Sequence, residues 1–314
     1  MPTIVRLAKT SGELNDVLEM RYHTLTDSGR TLSSWSHFTE RILDHLDIYP
    51  TTLNVIAYHD GKAVAGLRAA RYSPNERLLN LGFDFSESAA NVGGVVYAFD
   101  MVAFSAALKS ATSVRKHVLK MALSLLAHQN INSALFLCPE PLLALCEALG
   151  FKRLKDPYVC NAFGGATVCP LIIDVAAFFS SLVQGIVDQE IIRFQEVFYY
   201  SIFAPGEVMV VEGERGSTAY LIEEGEVEVL VKKGDAIVPI SSIGQGRMIG
   251  EVAMVTNEPR TASLVARSTT ACISFDRNEF MKLMYAQPHR SMDIFKIFSK
   301  RLSESNKRIA EMKQ

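Results

Sequence analysis

Two stretches of this chain place reactive or charged side chains at spacings that could do chemistry. The first runs Gly244-Gln-Gly246-Arg-Met-Ile-Gly250-Glu251-Val252-Ala253-Met254 and then Pro259-Arg260-Thr261-Ala262-Ser263. These types suit a small anion that also carries hydroxyl groups. Arg260 has a planar, permanently charged guanidinium that can donate paired hydrogen bonds to a negative charge leaving water. Backbone N–H groups of a short helical turn after Gly250 supply neutral donors. Glu251 can accept from a hydroxyl, and Val252, Ala253 and Ala262 leave room for close backbone approach. The second stretch is Lys109-Ser110-Ala-Thr-Ser113-Val-Arg115-Lys116, at the start of an amphipathic segment. Small side chains at Ser110 and Ser113 permit approach to a helix N-terminus, which favours phosphate, and Lys109, Arg115 and Lys116 add positive charge. The same three basic residues also read as solvated surface. The seven histidines show no ligand spacing such as H-E-x-x-H, and no Ser-His-Asp set appears. No bound metal is expected.

Positioning these residues requires two kinds of architecture. The first half alternates helix-like and strand-like segments. Residues 10–29 have Leu14, Val17, Leu18 and Tyr22 at helical spacing, and residues 36–48 read as a second helix. Residues 53–73 form a hairpin about Asp60-Gly61, and 95–104 is a further strand. Ser113 to Gln129 is a helix that buries Val114, Val118, Met121, Leu125 and Leu126; a strand at 133–138 and a helix at 141–151 follow, the helix stopping at Gly150. After about residue 200 short β runs punctuated by glycine take over, which predicts a small β-roll or jelly roll closed by helices at 277–285 and 290–312. The fold class is therefore α+β, with one domain over 1–185 and another over 190–314.

Composition narrows the classes. At 314 residues, two domains are expected; 48% hydrophobic and 21% charged residues exclude a disordered chain, a collagen-like repeat or a coiled-coil rod. The net charge of −2 provides no global excess to collect nucleic-acid phosphates. Five scattered cysteines without a C-x-x-C pair read as reduced core thiols. Residues 168–187 approach the ~20 apolar residues of a membrane helix, but Pro170, Asp174, Ser180, Ser181 and Gln184 make spanning costly. They read instead as a strand up to Ile173 and a helix capped by Asp174. The N-terminus lacks a signal-peptide h-region, so a cytoplasmic protein is expected.

Residues 203–276 resemble the cyclic-nucleotide-binding domain family, and the resemblance covers roughly the last 120 residues. Phe203, Pro205, Gly206 and Glu207 match its F-x-P-G-E motif; Glu212-Gly213, Tyr220, Ile222, Gly225, Val227 and Val229 follow in order. The run from Gly244 to Ser263 is similar to its phosphate-binding cassette. The resemblance implies that Glu251 holds a ribose 2′-hydroxyl and Arg260 a cyclic phosphate. It also implies cyclic AMP as the default ligand, with cyclic GMP second; Thr261 could hydrogen-bond either the cyclic phosphate or a guanine and does not decide between them.

The order of elements in residues 1–185, with Gly150-Phe151 closing a helix, resembles the GNAT acyltransferase superfamily. Arg21-Tyr22, Trp35, Asp44, Asp47 and Arg68, with Tyr158 to Asn161 and Val168 to Asp174, are similar to the acyl-homoserine-lactone and N-acyl amino acid synthase branch. The chain departs from the superfamily in having no glycine in the 109–116 loop, and from that branch in having Ala103 where an arginine is usual. The resemblance implies a base near the fourth strand, and Asp100 is the candidate by position. The alternative for Asp100 is a structural hydrogen-bonding carboxylate. Trp35 and Arg68 read equally as a core aromatic and an exposed strand charge.

Together these readings predict a cyclic-nucleotide-regulated N-acyltransferase that takes its acyl group from acyl-CoA or an acyl carrier protein thioester and gives it to an amine. The competing expectation is a noncatalytic cyclic-nucleotide sensor whose GNAT-like domain binds a ligand or partner. No helix-turn-helix is expected after the last helix, so no DNA partner is. Phe295, Phe298, Leu302, Ser305, Ile309 and Met312 follow a/d spacing, which suggests a lid helix or a homodimer seam.

Overall fold

The computed structural model describes residues 1–27, 39–73, 83–105, 111–161, 165–184, 198–234 and 236–286. The chain separates into two compact units, Met1–Leu182 and Val183–Gln314.

The first unit contains β1 (Thr3–Leu7), α1 (Ser11–Asp27), a 3₁₀ turn (His45–Ile48), β2 (Leu53–His59), β3 (Lys62–Arg71), α2 (Ser86–Val92), β4 (Val96–Phe104), α3 (Ala111–His128), β5 (Ser133–Pro139), α4 (Glu140–Ala148), β6 (Lys152–Arg153), β7 (Tyr158–Cys160), β8 (Ala166–Asp174) and α5 (Val175–Gln184). Its strands run in the order β1-β2-β3-β4-β5-β8-β6, with β7 also on β8. The β2–β3 turn is made by Asp60 at φ 49 and Gly61 at φ 74, the left-handed pair that a type I′ hairpin requires. A reciprocal capping box starts α1: the Glu13 N–H donates to Thr10 Oγ1, and the Thr10 N–H to Glu13 Oε2.

β4 and β5 are parallel, from Val96↔Ser133 to Phe99↔Phe136. Just beyond, the β3–β4 register slips between Gly66↔Ala103 and Arg68↔Asp100, and Met101 sits at φ 48. This is a β-bulge, which bends its strand and interrupts pairing. Phe99, Phe136 and Phe151 pack edge-on and tilted beneath it, with centroids 6.1–6.2 Å apart.

Most of the segments read from sequence appear within a residue or two. Val114, Val118, Met121, Leu125 and Leu126 of α3 are buried as expected. Asp174 caps α5 by accepting from the Ala177 N–H at 2.9 Å, and among the described residues no helix is long and apolar enough to cross a membrane. None of the five cysteines is in a disulfide, and all are buried. The helix expected at 36–48 is corrected: residues 39–44 are not helical and only the 3₁₀ turn at His45–Ile48 forms. Glu40 there adopts φ 50, and Asp44 caps the turn in a reciprocal box with Asp47.

The second unit contains β9 (Phe198–Phe203), β10 (Val208–Val210), β11 (Thr218–Glu224), β12 (Glu226–Lys233), β13 (Ala236–Gly244), β14 (Met248–Ile249), α6 (Glu251–Thr256), β15 (Ser263–Ala266), β16 (Thr270–Asp276) and α7 (Arg277–Ala286). Two antiparallel layers, β14-β11-β16-β9 and β10-β15-β12-β13, form a β-roll. Between them lie Phe203, Met209, Ile222, Val227, Val229, Ile249, Leu264, Ala266 and Cys272. Alternation along β12 produces this: Val227 and Val229 point in, while Glu226 and Lys232 are left outside. The proposed seam residues, Phe295 to Met312, and the helix read at 290–312 lie outside the described residues.

Candidate functional site

The start of the cassette segment is tied to β11 by backbone hydrogen bonds. The Gly246 N–H donates to Ile222 O and the Ile222 N–H to Arg247 O, both at 2.8 Å. β14 then pairs with Tyr220 and Leu221. Gly250 turns the chain at φ 76 into α6, which ends at Asn257 in the left-handed region at φ 63. Glu251 opens α6 half-buried, Ala253 is buried, and the side chain of Val252 lies outside the described set. After Pro259 the backbone of Arg260 is tied on both sides: its N–H donates to Glu214 O and its carbonyl accepts from the Gly213 N–H, each at 2.9 Å.

That anchoring delivers the Arg260 side chain into the wall at only 6% exposure. Nη1 donates to Gly250 O at 2.7 Å and Nη2 to Thr218 O at 2.6 Å. Its buried Nε has no hydrogen-bond partner among the described residues. Burial pulls the guanidinium below its usual pKa, and Tyr220 and Glu251 oppose this without offsetting it. Burial likewise pushes the Tyr220 phenol up to about 12. Thr261 is exposed and Ala262 half-buried beside it. The structure thus gathers Gly250, Glu251, Ala253, Arg260, Thr261 and Ala262 around one cassette, with a buried cation whose two Nη hydrogen bonds go to neutral carbonyls.

The first unit holds a different constellation. Arg68 on β3 stands opposite Asp100 on β4. Its Nε donates to Asp100 Oδ1 at 2.7 Å and its Nη2 to Asp100 Oδ2 at 2.6 Å. Asp44 accepts from Nη1 at 2.6 Å and Nη2 at 2.9 Å, and Asp47 from Nη1 at 3.0 Å. Arg21 from α1 completes the cluster through Asp47 at 2.9 Å and Asn54 at 2.5 Å. Arg21 and Arg68 are fully buried, so Arg68 is not the exposed strand charge that one reading allowed. Burial disfavours the Arg68 charge, but Asp100, Asp44 and Asp47 outweigh it and hold its pKa above the usual value. Arg21 is lowered by burial, with Asp47 acting against that shift and Arg68 adding to it.

Asp100 is itself 6% exposed, and both its carboxylate oxygens accept from Arg68. The remaining candidates are dispersed. Ser110, Lys109 and Trp35 lie outside the described residues. Ser113 sits in the first turn of α3 with Oγ 3.4 Å from His117 Nδ1. Arg115 lies over the Phe104 ring at 5.5 Å and its buried Nε has no hydrogen-bond partner among the described residues, so it is more than solvated surface.

Sequence reasoning grouped Arg21, Asp44, Asp47 and Arg68 in one family resemblance and named Asp100 apart, but it paired none of them, and it passed over Asn54. A signal existed. Arg68 interrupts an apolar strand in Ala-Gly-Leu-Arg-Ala-Ala, as Asp100 does in Tyr-Ala-Phe-Asp-Met-Val, and opposite charges inside adjacent apolar strands imply pairing.

Comparison with known proteins bears on the second unit. Residues 201–287 match the family described as cyclic nucleotide-binding domain. Among solved structures, the chain is similar to a cyclic nucleotide-binding domain from Methylobacillus flagellatus, at 25% identity and TM-score 0.36 over 42% of this chain and 83% of that one. It is similar to the catabolite activator protein of Thermus thermophilus, at 21% identity and TM-score 0.34 over 42% and 62%. It is also similar to the regulatory domain of Toxoplasma gondii PKA solved with cAMP, at 21% identity and TM-score 0.33 over 45% and 62%. The second unit carries a cyclic nucleotide-binding domain. That match begins at residue 201, and the reading of the first unit rests on its own geometry.

Proposed function

We propose that this chain is a cyclic-nucleotide-regulated N-acyltransferase. In the second unit Arg260 pairs with the cyclic phosphate, Glu251 accepts from the ribose 2′-hydroxyl, and backbone groups from Gly250 to Ala253 approach closely. Cyclic AMP is the preferred ligand and cyclic GMP the second. The observation that carries this part is Arg260, an almost fully buried guanidinium that, among the described residues, hydrogen-bonds two carbonyls and no carboxylate, at the cassette of a matched family domain. Calorimetric titration of the whole chain with each nucleotide tests it; absence of saturable binding of both would overturn it.

In the first unit the proposed reaction is attack of a free amine on the carbonyl carbon of an acyl-CoA or acyl carrier protein thioester. A C–N bond forms, the C–S bond breaks, a base takes the amine proton, and the thiolate leaves and is protonated to the thiol. The GNAT-type reading is supported by the parallel β4–β5 pair, whose pairing ends at Phe99↔Phe136 where the bulge at Met101 begins. Unpaired backbone N–H groups past such a bulge suit an oxyanion. Asp100 adjoins that point and is the proposed base. A cytoplasmic location and a homodimer through the last helix belong to the same proposal. Acyl transfer from acyl-CoA to a panel of amines, with and without cyclic AMP, tests it.

One observation favours the second reading, a sensor without catalysis. Both Asp100 oxygens are already bonded to Arg68, as suits a structural carboxylate. Binding of acyl-CoA without turnover of any amine is the result that reading expects.

A further inference from the structure

The guanidinium of Arg260 lies against a residue that the cassette motif does not include. A methyl group placed on Gly216 would stand 2.5 Å from Arg260 Nη2, 2.7 Å from Nε and 2.9 Å from Cζ. Three atoms of one planar group are thus within 3 Å of that position, closer than non-bonded carbon and nitrogen approach. On the cassette side a methyl group on Gly250 would meet Nη1 at 2.6 Å. The two glycines therefore bracket the guanidinium, one beside its Nε–Nη2 edge and one beside Nη1. Gly250 has a second reason to be glycine, its φ of 76, whereas Gly216 is not among the positive-φ glycines. The backbone at 216 accepts a side chain, and the group that must move to make room for it is the Arg260 guanidinium.

We propose that Gly216 is a positioning residue for anion recognition: it forms the floor on which Arg260 is held in donor geometry. The role rests on the nucleotide-binding reading above. With the floor flat, Nη1 and Nη2 reach Gly250 O and Thr218 O together, and the side chain is ordered before any anion arrives. An arginine fixed in this way has already lost the rotamer freedom that binding would otherwise remove. A larger residue at 216 pushes the guanidinium off its two carbonyls without touching the charge itself.

The test titrates cyclic AMP into the full-length chain by calorimetry, with thermal unfolding run alongside. Gly216→Val should weaken binding by about tenfold or more, the scale of one lost hydrogen bond to a charged group. Gly216→Ala should fall between it and the wild-type chain. In an Arg260→Lys background, where no planar fork needs the floor, Gly216→Val should cost about twofold or less. A merely structural role would cost the same in both backgrounds. Wild-type binding by Gly216→Val, or by Gly216→Ala if the valine variant does not fold, overturns the role, and so does an equal loss in both backgrounds. A wild-type chain that binds no cyclic nucleotide fails the site reading and the role with it, a result distinct from normal binding by the variants.

Discussion

Two buried arginines make opposite use of the same side chain. Arg68 is fully buried and surrounded by three aspartates, with Asp100 engaged through both oxygens. Arg260 is nearly as buried, yet its Nη donors go to the carbonyls of Gly250 and Thr218. Their titration behaviour follows: Arg68 is raised above its usual value and Arg260 lowered. A charge met by protein carboxylates is a clasp, which holds α1, the 44–47 turn, β3 and β4 together. A charge hydrogen-bonded to neutral carbonyls, with Glu251 offsetting its burial only in part, retains its demand for an anion. The difference between them is a difference of partners and hardly of burial.

The comparison breaks most sharply on stability. Removing one partner from a buried ion-pair cluster leaves the others charged and unpaired, which costs about 3–5 kcal/mol. Arg68→Ala strands the buried Asp100 and takes the cation from Asp44, while Asp47 keeps Arg21, so the first unit should lose that much in denaturant unfolding. Arg260→Ala should change unfolding far less, since two carbonyls can turn to water. Equal losses in the two variants would contradict the division into clasp and anion site.

Binding reverses the order. Arg260→Ala leaves the cyclic phosphate without its cation and should weaken cyclic AMP by about 2–5 kcal/mol, with Glu251→Ala somewhat less costly. Arg68→Met, if folded, should bind as the wild-type chain does. Unchanged affinity in Arg260→Ala, read by calorimetry, removes the residue from the site.

How far each arginine was legible in the sequence differs for a physical reason. The cassette residues of the Arg260 site, Gly250 to Ala262, fall in one continuous stretch whose order resembles a family motif, although its anchors at 213–218 do not, and the strand runs from β10 to β16 carry their own alternation and glycine turns. The Arg68 cluster draws on α1, a turn, two strands and Asn54, so its members share no local pattern. Residues 36–48 were misread because helical spacing ignores what Asp44 and Asp47 bond to; a cap and two carboxylates engaged with Arg68 and Arg21 favour a tight turn over a helix. The bulge at Met101 left no composition signal, because a strand residue at φ 48 is imposed by register and not by residue type. Gly216 was missed for the same reason: nothing local says that an arginine 44 positions on will lie against it.

Asp100 connects the clasp to the proposed chemistry, and Asp100→Asn separates the two. As the base, its loss should lower acyl transfer by roughly 10²-fold while acyl-CoA still binds. As a member of the clasp alone, the variant should lose stability and keep its turnover. Steady-state rates measured below the melting transition, together with acyl-CoA titration, distinguish these outcomes.

The smallest expected effect lies at Asp44, the edge of the clasp, whose side chain is 26% exposed. Burial raises its pKa, but the hydrogen bonds and charge of Arg68 and the Leu46 N–H lower it further, so the net shift is downward from the ordinary 3.8. The unfolded chain therefore binds the proton more readily than the folded one. Stability from this group is fully present above the ordinary value and is lost as pH falls below it, through the lowered folded-state value. Urea midpoints for the first unit should be flat in this respect near neutrality and decline as pH drops below about 4, in line with carboxylates that are ion-paired in the native state. Asp44→Asn should flatten that acid limb, because the group that titrates is gone, and should cost a little stability at neutral pH. Arg260→Ala should leave the limb nearly unchanged, since the Nη hydrogen bonds of that arginine go to the Gly250 and Thr218 carbonyls. An acid limb identical in wild type and Asp44→Asn would place the titrating carboxylates elsewhere in the chain.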